Sequence, residues 1–271
     1  MNAIQPHLIL ACLLAACSSP RPDEGVWRNS LGMAFRPVPT PRGQLAFAVV
    51  ETQRGPMQQF RGAAGYINDS NFGRMPCDEV SWHEAESFCQ WLTHRERALG
   101  VISAHQRYRL PTDHEWSCAV GLGDLENASS GPEEKSNQIA GLYPWGSQWP
   151  PPKGAGNLCG RESAGHFGDN HIADFRDALP PGELKAGASR PNELGLFDLG
   201  GSLWEWCSDR FRDNRDWRVL RGGSWKSSQP ATLLSSHRTH DPPDYRSDSV
   251  GFRCVLEGAS LPCSAQKDSL H

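Results

Sequence analysis

The sequence predicts a single α+β domain with much irregular structure, and three observations predict it. Two segments carry paired helix-start signals followed by apolar residues at helical spacing, Ser81-Trp82-His83-Glu84 and Thr112-Asp113-His114-Glu115. Short apolar runs at Leu45 to Val50, Arg218 to Arg221 and Gly251 to Val255 have the length and composition of strands. Between them the 271-residue chain spreads 27 Gly and 21 Pro, which favours loops over long regular elements. Glycine added to the 38% of other hydrophobic residues brings the apolar share into the ordinary globular range, and ten Trp supply large side chains for a core. A formal charge of -4 and the lack of a basic run argue against a nucleic-acid partner. No internal apolar run is long enough to cross a bilayer.

Taken in order, the chain begins with a segment that reads as a leader. Leu8 to Ala16 is apolar but too short for a stable membrane span. It ends in Leu14-Ala15-Ala16-Cys17, which has the form of a bacterial lipobox: small residues admit the signal peptidase and the Cys17 thiol takes the lipid. The first seven residues hold no Lys or Arg, and an ordinary secretory signal cleaved near Ala16 is the alternative. Ser18, rather than Asp, fits an outer-membrane address. The expected organisation is a signal peptide over 1–16, a lipidated tether over 17–25, one domain over 26–258 and a tail over 259–271. The lipid bilayer is then a partner through Cys17, and the expected location is the bacterial cell envelope, on the outer membrane facing the periplasm or cell surface. With Cys12 and Cys17 set aside, seven cysteines remain: Cys77, Cys89, Cys118, Cys159, Cys207, Cys254 and Cys263. An oxidising compartment permits disulfides, and the odd count leaves at least one free thiol or an intermolecular bond.

Asn29 to Phe35 opens the domain, Leu45 to Val50 reads as a buried strand, and 52–64 includes a short helix with Pro56 in its first turn. In the helix beginning at Ser81, Trp82, Ala85, Phe88, Cys89 and Leu92 share one buried face, and Thr93 to Arg97 forms a solvated end. The helix from Thr112 runs through Trp116 and Ala119 towards Gly121 or Gly123. Asp124 to Ala140 reads as a surface insertion, and 146–190 carries few periodic signals. Gly154-Ala155-Gly156 lacks the third glycine of a dinucleotide loop. From Arg218 to Cys254, two apolar ends bracket a turn at Gly222-Gly223 and a long polar connection, the kind of loop that tends to carry function.

Five ordered motifs carry a resemblance to a known family. They are Val80-Ser81-Trp82 with Ala85 and Phe88-Cys89; Tyr108-Arg109-Leu110-Pro111-Thr112 with Glu115-Trp116; Tyr143-Pro144-Trp145-Gly146; Gly195-Leu196-Phe197-Asp198 with Trp204-Glu205-Trp206; and Arg221-Gly222-Gly223-Ser224-Trp225 closing on Gly251-Phe252-Arg253-Cys254. The chain resembles the formylglycine-generating enzyme, or sulfatase-modifying factor, family over most of its length after the leader. That resemblance implies a C-type-lectin-like fold and a Cys89–Cys254 disulfide. It also implies a copper site of two cysteines, but Ser227 and Thr232 occupy those positions, and hydroxyls do not replace thiolates for soft Cu(I). Copper is therefore not expected, and no catalytic residue is assigned. The family further implies two structural calcium ions. One would be held by Asn157, the Leu158 carbonyl, Asp177 (with Asp174 as rival) and the Leu179 carbonyl, the other by Ser202, Leu203 and Glu205.

Other residues invite chemistry without settling it. His237, His240 and Asp241 could hold iron or zinc, although a polar loop with solvated imidazoles is the better account of their spacing. Ser224, His237, Arg238, His240 and Arg246 are the candidate ligand contacts. Trp204, Trp206 and Trp225 read as core, with Arg221 and Arg253 pairing to acids of the Trp-Glu-Trp turn. The expected function is a cell-envelope lipoprotein whose non-catalytic domain binds a peptide, glycan or envelope protein. The alternative is a metal-dependent oxidoreductase with a non-standard ligand set.

Overall fold

Prolines and a turn decide how the first sheet begins. In the computed structural model, which describes residues 25–62, 70–177 and 179–258, β1 (Trp27–Arg28) pairs with β2 (Ala34–Thr40) only as far as Phe35. Beyond that point β2 is an edge, where the missing N–H groups of Pro37 and Pro39 cost no ladder bond. β2 turns into β3 (Gly43–Ala48), a strand with an apolar side chain on both faces. Leu45 and Phe47 join one core cluster, and Ala46 and Ala48 join the other. The sheet is therefore buried on both sides.

Local signals place the helices. α1 (Arg54–Arg61) carries Pro56 in its first turn, and α2 (Ser70–Arg74) follows. α3 (Trp82–Ala98) starts where Ser81 accepts the Glu84 N–H at 3.2 Å. The expected reciprocal half of that cap is absent, because the Glu84 carboxylate faces Arg61 and Arg246 instead. The far end of α3 also departs from expectation. Thr93 and Glu96 are buried there, with Glu96 receiving both the backbone N–H and the hydroxyl of Ser30. After β4 (Arg107–Arg109), α4 (Asp113–Ala119) shows both halves of the Thr112/Glu115 cap.

The remainder is short pieces: α5 (Pro132–Lys135), α6 (Ala164–Phe167), and then β5 (Trp204–Arg212), β6 (Arg215–Arg221), β7 (Thr239–Asp241), β8 (Val250–Gly251) and β9 (Val255–Glu257). One sheet has the order β1-β2-β3-β9-β4 and the other β7-β6-β5-β8, with β5 and β8 parallel. The last strand thus lies in the interior of the first sheet, between β3 and β4. α3 packs Phe88, Cys89 and Leu92 with Trp206, Phe252 and Cys254, while Trp116 of α4 joins Val38, Leu196, Val219 and Val255. No described helix is long and apolar enough to cross a membrane. The leader, Cys17 and the tail with Cys263 lie outside the described residues.

Candidate functional site

β6 delivers the chain to Gly222 and Gly223, both at positive φ. A Cβ on Gly223 would sit 2.9 Å from the Leu233 side chain, so only glycine lets the turn lie against the following 3₁₀ segment, Pro230–Leu233. The loop then closes on itself. The Ser224 N–H donates to the Ser227 hydroxyl at 3.0 Å, the Ser227 N–H to the Ser224 carbonyl at 2.9 Å, and the Lys226 N–H to the Ser224 hydroxyl at 3.3 Å. Thr232 donates its hydroxyl to the Gln229 carbonyl at 2.9 Å. Trp225 is largely buried against Leu184, Leu203 and Phe167. The Ser227 and Thr232 hydroxyls are thus engaged with their own loop.

Of the proposed ligand contacts, Arg238 requires correction. Its side chain is fully buried, with bonds from Nε to Asp113 at 2.9 Å and from Nη2 to Glu126 at 2.6 Å. Arg221 reaches the same Asp113 oxygen at 2.6 Å, and Lys135 the other at 2.6 Å. Burial pushes the Asp113 carboxyl up, but Arg221, Arg238 and Lys135 outweigh it and hold it well below the ordinary range. Glu126 and Lys135 belong to the stretch expected to be a surface insertion, so that stretch completes a buried ionic network. Arg221 therefore pairs across the domain and lies over Trp116 rather than meeting the Trp-Glu-Trp turn. Arg253 does meet it, with Glu205 at 2.5 and 2.7 Å.

Ser224 is buried too. His240 stacks on Trp217 with ring centroids 4.4 Å apart, and His237 leans on Trp204 and approaches the Asn137 amide oxygen at 2.9 Å. Burial, then Arg221 and Arg238, push the His237 imidazole down to about 4. Among the described residues no cluster of three His, Cys, Asp or Glu side chains is placed to hold a metal. Arg246 alone of the five lines a cleft, of about 610 Å³, beside Arg54, Arg61 and Asp78. A larger cleft of about 890 Å³ opens on another face, between the β2–β3 turn, the end of α4 and the segments around Trp145 and Arg190. Pro144, Trp145 and Leu196 of two ordered motifs line it, but no single motif marks a cleft that separate loops assemble.

Of the residues proposed for the first calcium site, Asp177, Leu158 and Leu179 lie together. Asp177 accepts the N–H of Leu158 and of Leu179, each at 2.9 Å, and the Asn157 amide donates to the Glu183 carbonyl at 2.9 Å. The second set does not fit as written, since both Glu205 oxygens bond Arg253 and one also takes the Trp116 N–H at 2.9 Å. The residue that sequence reasoning missed is Glu51. Its carboxyl is fully buried, with the Ser202 hydroxyl, Asp198, Glu205 and Arg253 as its neighbours. Burial, then Asp198 and Glu205, hold its pKa well above the carboxylate range. The available signal was a lone acid closing an apolar run.

Cys89 and Cys254 are buried with sulfurs 3.6 Å apart, as free thiols.

Two sheets, two capped helices and loop-built clefts define an α+β domain, and the matches to known proteins give it a family. Residues 27–258 match the sulfatase-modifying factor enzyme 1-like domain, and the chain belongs to that family. It is similar to the inactive C-alpha-formylglycine-generating enzyme 2 of Bos taurus, at 30% identity over 197 residues, 69% of this chain and 52% of that one. It is also similar to the formylglycine-generating enzyme of Thermomonospora curvata, at 26% over 205 residues, 67% of this chain and 55% of that one. The chain thus spans about half the length of these relatives. The structure of PvdO from Pseudomonas aeruginosa shares the fold, with a TM-score of 0.54, 14% identity and coverage of 86% of this chain and 98% of that one.

Proposed function

We propose that this chain is a non-catalytic binding module of the bacterial cell envelope, held at the bilayer by lipid on Cys17. The observation that carries the absence of catalysis is the pair Ser227 and Thr232, hard hydroxyls bonded to their own loop where a copper oxidase needs two soft thiolates. A relative of 30% identity is itself named inactive, which supports the same reading. The ligand, an envelope peptide or glycan, would lie in the larger cleft, where Trp145, stacked on Tyr143 at 5.1 Å, offers an aromatic face beside Arg190. A structural calcium would be held by Asn157, Leu158, Asp177 and Leu179, and Cys89 with Cys254 would form a disulfide in an oxidising compartment.

The test is to incubate the purified chain with copper, oxygen and a cysteine-containing sulfatase peptide. No aldehyde is expected by mass spectrometry, and conversion of the cysteine would overturn the reading. The second reading, an oxidase with a different ligand set, draws on the similarity to formylglycine-generating enzymes. It predicts a tightly held transition metal, seen by elemental analysis and lost on changing His237 or His240. Calcium without such a metal would count against it.

A further inference from the structure

The described exposed large hydrophobic side chains are few, and two of them stand together. Leu99 is 56% exposed and Val101 38% exposed, on either side of Gly100 in the turn that joins α3 to β4. Chemistry around them is one-sided. His94, Arg95 and Arg97 precede the turn on α3, and His105 and Arg107 follow it, while Glu96, the one carboxylate in that stretch, is buried against Ser30. Arg107 is paired with Glu257, whereas Arg97 meets the Gln106 carbonyl at 2.7 Å, Arg28 the Gly32 carbonyl at 3.2 Å and Arg95 the Trp91 ring, so among the described residues the charge of these three is not neutralised by a carboxylate. Ser30, just after the N-terminal strand, bonds the Glu96 carboxylate, and the Glu96 carbonyl accepts the Val101 N–H at 2.9 Å. The tip and the end of the N-terminal strand are therefore neighbours.

That adjacency matters because the chain reaches the domain there. Seven residues lie between Cys17 and Gly25, eight steps that span at most about 28 Å when fully extended. An acyl group on Cys17 would hold the β1 corner, and with it the α3–β4 tip, close to the bilayer. Two aliphatic side chains flanked by Arg and His suit such an interface: the apolar groups enter the acyl boundary and the cations meet lipid phosphates.

We propose that the α3–β4 tip is a membrane-docking surface, with Leu99 and Val101 inserted among the headgroups of the same bilayer that carries the anchor and Arg28, Arg95 and Arg97 on the phosphates. This rests on the reading of Cys17 as acylated. Docking fixes which face of the domain points away from the membrane, whereas a tether alone leaves the domain free to tumble.

Hydrogen exchange of the full acylated chain tests it, on vesicles of phosphatidylethanolamine and phosphatidylglycerol in a 3:1 ratio. The reference is the Cys17→Ser chain free in solution. Peptides covering 94–107 are expected to exchange at least 5-fold more slowly on vesicles, with little change around Trp145 and Arg190. The Leu99→Asp/Val101→Asp chain, still acylated, is expected to lose that protection while its core peptides exchange as before. Equal exchange of 94–107 in the acylated and reference chains overturns docking alone. Protection of 94–107 in the Cys17→Ser chain without vesicles also overturns it, by assigning the tip to a second copy or to residues 259–271, which follow Gly258 beside the His105 carbonyl. Failure of the anchor reads out separately, as an intact mass without acyl groups at Cys17.

Discussion

Arg238 shows how one side chain can change meaning between sequence and structure. Beside two histidines in a polar loop it reads as a ligand contact, yet its partners Asp113 and Glu126 lie 125 and 112 residues away. Nothing local could reveal them, and Glu126 sits in a stretch whose composition reads as surface. Removing one member of a buried ionic network leaves the others desolvated and unpaired. Arg238→Ala is accordingly expected to cost about 3–5 kcal/mol, measured as a fall in the urea midpoint. His237 gives a pH signature. Its folded pKa of about 4 lies below the ordinary 6.5, so as pH falls the unfolded chain takes up the proton first. The stability it contributes is fully present above about pH 6.5 and is lost as pH falls towards 4. With partial exposure discounted, the loss is about 1–2 kcal/mol. Urea unfolding at pH 7 and pH 4.5 should show that loss in the native chain and a smaller one in His237→Gln.

At the level of elements, legibility followed locality. α3 and α4 were readable because a cap and an apolar stripe lie within a few residues of each other. Ser81→Ala removes the cap of α3 and is expected to cost about 1 kcal/mol in the same unfolding measurement. The reciprocal half was misread because Glu84 has stronger partners: Arg61 at 2.8 Å from α1, and Arg246 from the distant polar loop. Those cations, against the cost of burial, lower the Glu84 pKa. β7 and β8, of three and two residues, exist only because β6 and β5 offer them a partner, and no periodicity can announce a strand that short. The loop at Gly222-Gly223 was legible as a turn, whereas the larger cleft was not, because distant loops assemble it.

Across the whole molecule, the contact between Cys89 and Cys254 links the first long helix to the segment before the final strand. Closing from 3.6 Å to the bond length of about 2.05 Å is a small movement within a packed core. A non-reducing tryptic digest of the chain from an oxidising compartment should contain one linked peptide pair joining Cys89 to Cys254. In the chain-entropy account the bond would add about 5 kcal/mol, so reduction should lower Tm, while recovery of both residues as thiols would remove the bond. β9 carries this closure further. It fills the gap between β3 and β4 and supplies Val255 to one core cluster and Leu256 to the other. Until those residues have left the ribosome, both neighbouring strands lack their partner and neither cluster is complete. The order of synthesis therefore leaves both clusters open until nearly all of the described domain has emerged.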